Sequence, residues 1–324
     1  MPTIPLPVAR ALLVPYYRLT FHHRMPWPLQ RGLLDAGARL LPMPKGVTID
    51  PLFLGRRRAE RITVGATADA GAVLYLHGGG YTSGSIRSHR SLAAHLARES
   101  RRPVYLLDYR LAPEHPYPAA VQDTIAAFEE LTGAIGYRPE SIALGGDSAG
   151  GGIALAATQS LIARQAPTPG ALVLLSPWTD PGFVPRRPRD MVVNIAWGLA
   201  CAAAYLGSGD PADPRYAPLL GTLSGLPRTY LHIGTGEMLY EECRRLVERL
   251  RAAEVPLRYV ESPVLWHAAQ TQAGMVREAA ESLRDVAEFL CEDRLLCEDR
   301  LLREIRSEPN TIGEHDVEKH TDAS

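Results

Sequence analysis

Residues 141–164 read SIALGGDSAGGGIALAATQSLIAR. Ser141–Leu144 has strand character and runs into Gly145-Gly146. An Ala-rich helical stretch, Ala149–Arg164, begins directly after the next two residues. The turn between them, Gly146-Asp147-Ser148-Ala149-Gly150, matches G-x-S-x-G. That pattern is weak alone, but its context gives it a physical reason. A serine on a sharp strand-to-helix turn projects its hydroxyl beyond the sheet. The strained, crowded backbone there demands small neighbours, which Gly146, Gly150, Gly151 and Gly152 provide. The turn also sets the serine oxygen near a helix N-terminus, where amide N–H groups favour developing negative charge. Ser148 is therefore the candidate nucleophile, and a strand–elbow–helix unit anchors the fold.

Along the rest of the chain, apolar runs alternate with amphipathic stretches. Strands are expected at Arg61–Gly65, Ala72–Leu76 (AVLYL), Pro103–Leu107, Ala171–Leu175, Thr229–Ile233 and Leu257–Val260. Helices are expected at Ser88–Arg98, Pro118–Thr132, Met238–Ala253 and Thr271–Leu290. Continuously apolar strands separated by helices imply an α/β fold: a mostly parallel central sheet with helices on both faces. Two segments break the alternation, residues 1–60 and an insertion at about 182–218. Together they read as a helical cap, with the catalytic domain spanning 61–305 and a polar, disordered tail at 306–324. Leu290–Leu295 (LCEDRL) recurs as Leu296–Leu301, a local duplication that extends the last helix.

The strand AVLYL ends in His77-Gly78-Gly79-Gly80. Three glycines let backbone N–H groups approach a reacting atom without side chains in the way, which is the requirement of an oxyanion hole. The Lys-Ser/Thr and glycine spacing of a phosphate loop are missing. Ala149, directly after the serine, supplies a further donor. A serine nucleophile needs a base, and the base an orienting acid. His267 lies just past the last expected strand, in the region of Pro263–Trp266. His232, inside the strand TYLHI, reads as a packed strand residue. Glu237, Glu241 and Glu242 follow that strand; Glu237 stands nearest its end, and the other two fall on the next helix. Glu237 is the candidate acid, with Glu241 and Glu242 as alternatives. Asp147 is expected to order the loops by hydrogen bonding, and Asp108 and Asp180 to anchor them. Tyr81, Trp178, Trp197 and Tyr205 either line an apolar acyl pocket or pack within the cap.

Bulk properties exclude other classes. The 324 residues carry a formal net charge of −1, and no basic cluster is interleaved with aromatics, so no nucleic-acid partner is expected. Cys201, Cys243, Cys291 and Cys297 form no C-x-x-C pair and have no zinc-ligand spacing; reduced thiols in a cytoplasmic protein are expected. No metal or cofactor is implied. Pro5, Pro7, Pro15, Arg10 and Arg18 interrupt the apolar start, so it is neither a signal core nor a spanning helix. Val8, Leu12, Tyr16 and Leu19 share one helical face, which reads as packing on the body of the protein, with membrane-surface docking as the alternative.

HGGGY (77–81), DYRLAPEHPYPAA (108–120), GDSAGG (146–151), LSPWTD (175–180) and the late Trp266-His267 resemble, in order, the hormone-sensitive-lipase-like group of bacterial esterases (family IV) of the α/β-hydrolase fold. In detail they look like the subgroup of monoterpene ε-lactone hydrolases and acetyl-hydrolases. The resemblance implies a helical N-terminal cap and a serine carboxylesterase acting through an acyl-enzyme, with short- to medium-chain esters as substrates. It implies His77 and Gly80 as shapers of the loop, and Gly78, Gly79 and Ala149 as donors. It also implies Ser148 as nucleophile and His267 as base. The family's acid block is usually D-P-L-x-D-E; here Glu237 stands at its first position, one methylene longer. A lactone hydrolase or deacetylase would use the same triad, and a homodimer is admitted. A catalytically silent binding module is the remaining reading. Plant gibberellin receptors resemble this family and have lost the base, whereas His267 is present here.

Overall fold

A computed structural model describes residues 3–67 and 71–307, with side chains to residue 292. The chain divides into a unit Met1–Leu290 and a second unit Cys291–Ser324, the latter described as helix through Ser307. Most of the tail expected at 306–324 lies outside the described residues.

Two helices open the chain, α1 (Leu6–Thr20) and α2 (Trp27–Ala38). Each has a proline in its first turn, where the missing N–H costs nothing and the fixed φ suits the helix. A hairpin follows, β1 (Val47–Leu54) and β2 (Arg57–Val64). Its two-residue turn, Gly55-Arg56, has positive φ at both positions, matching the twist of the strands it joins. Thus 47–60, expected as part of a helical cap, belongs largely to the sheet. β1 is the edge strand, which is why Pro51 is tolerated within it.

The alternating part then runs β3 (Ala72–Leu76), α3 (Ile86–Ser100), β4 (Val104–Leu107), α4 (Ala119–Thr132), β5 (Ile142–Asp147), α5 (Ala149–Ala163) and β6 (Ala171–Leu175). After it come α6 (Ile195–Leu206), β7 (Arg228–Gly234), α7 (Tyr240–Ala252), β8 (Leu257–Ser262) and α8 (Arg277–Ser307). The last helix starts later than expected, because a short 3₁₀ turn, Ala269–Gln272, intervenes.

Eight strands form one sheet in the order β1-β2-β4-β3-β5-β6-β7-β8. β1, β2 and β4 pair antiparallel, and every pair from β4 to β8 is parallel. β3, β4, β5 and β6 are buried at every residue, as strands covered on both faces must be. From β3 the chain steps to β4 on one side, then crosses back to β5 on the other. That reversal is a topological switch point, and a crevice opens there at the carboxyl ends of the strands. The loops carrying residues 77–80, 148, 237 and 267 all leave those ends.

Helix α1 corrects one expectation. Its packed face is Ala9, Tyr17 and Thr20, whereas Val8, Leu12 and Leu19 are exposed. The cap is tied down through Gln272, whose amide donates to the Tyr17 hydroxyl at 2.9 Å, and through Trp197, whose indole N–H donates to Gln30 at 2.9 Å.

Candidate active site

Ser148 joins β5 to α5 with φ 51° and ψ −121°, a conformation L-residues rarely adopt. Its N–H donates to the Leu175 carbonyl, and its own carbonyl accepts from Trp178 N–H, each at 2.9 Å. These bonds fasten the turn to β6 and the loop after it. A Cβ on Gly150 would lie 2.1 Å from the Leu76 carbonyl oxygen, so only glycine lets α5 start hard against β3.

Ser148 Oγ lies 2.9 Å from His267 Nε2, and His267 Nδ1 lies 2.8 Å from Glu237 Oε2. All three residues are buried. Ala268, in the left-handed region, turns the chain after the imidazole. Glu237 folds back on the end of its own strand. Its Oε1 accepts from Gly234 N–H at 2.6 Å and from the Ser176 hydroxyl at 2.8 Å. Both carboxylate oxygens are thereby held. Burial pushes the Glu237 carboxyl up, opposed by its bond to His267. Burial alone would lower the His267 imidazole, but the Glu237 carboxylate outweighs it and holds the imidazole above its ordinary value. The Glu237 carboxylate is thus placed to stabilise positive charge on the imidazole.

The two alternative acids lie elsewhere. Glu241 is half-exposed, with Arg186 4.0 Å away. Glu242 is buried, and its Oε1 accepts from the Thr179 hydroxyl at 2.9 Å and from the N–H groups of Thr179 and Asp180. It pins the loop after β6. His232 is packed in β7 with Nδ1 3.1 Å from the Gln270 amide.

The glycine loop departs from expectation at one atom. Gly78 N–H is directed at Asp147 Oδ1, 3.1 Å away, and at His89 Nε2, 3.3 Å away. It is taken up by the loop's own support. The N–H groups of Gly79 and Ala149 have no acceptor among the described residues. Asp147 also accepts from the Tyr75 hydroxyl at 3.1 Å and faces His89 Nε2 at 3.1 Å. Burial would raise its carboxyl, but His89 and the hydrogen bonds bring it below the usual carboxylate range. His77 stacks on Tyr109 with centroids 4.3 Å apart, and its Nδ1 lies 2.8 Å from the Gly78 carbonyl. Burial lowers its imidazole to about 3, so it stays neutral while shaping the loop. Gly79 has φ 121°, and a Cβ there would lie 2.3 Å from the Ser83 carbonyl oxygen. Gly79→Ala is expected to lower kcat by about a hundredfold or more. Steady-state kinetics on p-nitrophenyl acetate checks this, and a variant within threefold of wild type would remove Gly79 from the site.

A cavity of about 390 Å³ lies against Ser148, Gly79 and His267. Its walls are mainly apolar: Leu12, Leu13, Tyr16 and Tyr17 from α1, Leu34 from α2, Leu40 and Leu41 beyond it, and Val192, Val193 and Trp197. Of the four aromatics singled out from the sequence, Trp197 alone lines it. Tyr81 and Tyr205 stack at 3.8 Å, and the Tyr81 hydroxyl donates to the Trp178 carbonyl at 2.5 Å. These three rings form a buried cluster, the packing alternative of the two, and none of them lines the cavity. Gly80 abuts the wall, since a Cβ there would lie 2.6 Å from the Trp197 ring.

Ser176, His89 and the cavity wall formed by α1 belong to the site without being among its candidate residues from sequence. Ser176 lies within the LSPWTD block, which could have pointed to it. Nothing in the spacing of His89, on α3, shows that it meets Asp147. Among the described residues no cluster of three or more His, Cys, Asp or Glu could hold a metal ion, and no helix is long and apolar enough to cross a membrane.

A family model for the alpha/beta hydrolase fold matches residues 73–271. An acetyl-hydrolase of Streptomyces hygroscopicus is 34% identical over 255 residues, covering 77% of this chain and 84% of its own. An esterase of Acinetobacter venetianus is 33% identical over 265 residues, covering 80% and 87%. A crystal structure of an esterase from the bacterial hormone-sensitive lipase family superposes with a TM-score of 0.83 at 35% identity, covering 90% of this chain and 98% of that one. The fold and the Ser–His–Glu geometry define an α/β hydrolase. Within that class the chain belongs to the hormone-sensitive-lipase-like (family IV) esterases and is a carboxylic ester hydrolase.

Proposed function

We propose that Ser148 is the nucleophile, His267 the general base and Glu237 the acid that orients it, in hydrolysis of small carboxylic esters. The relay from Ser148 Oγ through both His267 nitrogens to Glu237, at 2.9 and 2.8 Å, carries this reading. Ser148 Oγ attacks the ester carbonyl while its proton passes to His267 Nε2. The tetrahedral oxyanion takes hydrogen bonds from Gly79 and Ala149 N–H, a two-donor hole, with Gly78 kept for the turn. His267 then protonates the leaving alkoxide, and the acyl group stays on Ser148. Water attacks that acyl-enzyme with His267 again as base, releasing the acid and restoring the serine.

The apolar walls and modest volume of the cavity support uncharged, short- to medium-chain acyl groups. The acetyl-hydrolase relative points the same way. Three cysteines, Cys201, Cys243 and Cys291, are free thiols, which supports a reducing compartment such as the cytoplasm. A panel of p-nitrophenyl esters of rising acyl length, with lactones and anilides beside them, tests the substrate class. A fluorophosphonate probe that labelled any residue other than Ser148 would overturn the triad.

The pH dependence has a definite sign. His267 must be neutral to accept the Ser148 proton. Since its folded value lies above the ordinary 6.5, kcat/KM should rise with pH through a midpoint above 6.5. In Glu237→Gln the carboxylate is gone and burial dominates, so that midpoint should move below 6.5. A pH–rate profile with an unmoved midpoint would separate Glu237 from the base.

A further inference from the structure

We propose that the outer face of α1 is a docking surface for an anionic lipid–water interface. At 100° per residue, Val8, Leu12, Pro15 and Leu19 fall within one narrow stripe. Val8, Leu12 and Leu19 are 46%, 63% and 58% exposed. The helix is already anchored through its other side, by Ala9, Tyr17 and Thr20. It therefore has two apolar faces, and the core uses one of them. A surface helix normally turns a polar face to water; one that does not is suited to an apolar boundary.

The surrounding charge selects the boundary. Residues 1–45 hold Arg10, Arg18, Arg24, Arg31, Arg39 and Lys45 against the single acid Asp35, in a chain whose net charge is −1. Arg10 and Arg31 are engaged, by the Val264 carbonyl and by Glu114. Arg18, Arg24 and Arg39 are exposed and form no ion pair among the described residues. Exposed arginines in the same N-terminal segment as an apolar stripe complement anionic headgroups. The surface also meets the catalytic cavity: Leu12 and Leu40, 63% and 82% exposed, are both part of its wall. Docking there would set the cavity mouth against the lipid phase, where an apolar ester concentrates.

Co-sedimentation of the full chain with vesicles tests this. One set is phosphatidylcholine alone, the other phosphatidylcholine mixed equally with phosphatidylglycerol. Binding to the mixed vesicles should be at least about tenfold tighter. Val8→Asp/Leu19→Asp should weaken it about tenfold while hydrolysis of soluble p-nitrophenyl acetate is unchanged, since neither residue lines the cavity. Arg18→Glu/Arg24→Glu, which leaves the apolar stripe intact, should weaken it similarly and remove the preference for phosphatidylglycerol. Ser148→Ala should bind like the wild type, so the surface stands or falls separately from the triad. Failure to bind the mixed vesicles, or unaltered binding by the Val8/Leu19 variant, would overturn the proposal. So would a lipid-free dimer that this variant converts to monomers, because the stripe would then belong to a second copy of the chain.

Discussion

Ser148→Ala is expected to lower kcat by roughly 10⁴–10⁶-fold on p-nitrophenyl acetate. Removing Oγ deletes the atom that would carry the acyl group, and no other hydroxyl or thiol bonds to His267 Nε2 among the described residues. The oxyanion donors and the cavity survive, which is why a small residual rate is expected rather than none. The thermal midpoint should stay within about 3 °C of wild type. The turn is fastened by backbone bonds to Leu175 and Trp178, which alanine retains. Turnover by purified Ser148→Ala near the wild-type rate, with circular dichroism showing an intact fold, would end the assignment. A collapse of the fold would instead mean that the hydroxyl is structural.

Glu237→Gln should lower kcat by roughly 10³–10⁴-fold with little change in KM. The amide keeps the volume but loses the charge that supports the imidazolium. It can also offer N–H to Nδ1, which favours the wrong tautomer. Glu237→Asp should fall between wild type and Gln. It restores the charge, but one methylene fewer cannot reach Gly234 N–H, the Ser176 hydroxyl and His267 together. Glu241→Gln, at a half-exposed position, should remain within about twofold of wild type. Glu242→Gln should register mainly as a lower melting temperature, because Glu242 holds the Thr179–Asp180 loop, whereas the described bonds of His267 go to Glu237 and Ser148. Kinetics and melts on the four variants give the order. Losses larger in Glu241→Gln or Glu242→Gln than in Glu237→Gln would move the acid onto α7.

Much of the site was legible because its chemistry is local. The elbow at 146–150 and the glycines at 78–80 are written in consecutive residues, since a strained turn or a close backbone approach restricts neighbouring side chains. His267 followed from chain order. Glu237 could be favoured over Glu241 and Glu242 by its position at a strand end. Other features depend on residues far apart in sequence. Gly78 N–H is taken up only because Asp147 and His89 meet it, 69 and 11 residues away. Tyr81 and Tyr205 stack across 124 positions, and no spacing announces that they face each other rather than a pocket. β1 and the start of β2 were missed because Pro51 interrupts the alternation that would otherwise mark an edge strand.

By itself, then, the sequence determined the class of fold, a candidate nucleophile and base, and a short set of candidate acids, because propensity, burial pattern and turn chemistry act over a few residues. Tertiary structure decided which carboxylate reaches His267, which N–H groups remain free for an oxyanion, and which face of α1 is left to solvent. The helical period marks Val8, Leu12 and Leu19 as one stripe but cannot say which way the stripe turns. That depends on what Tyr17 and Ala9 find to pack against, and on Gln272, 255 residues from Tyr17, being there to hold it.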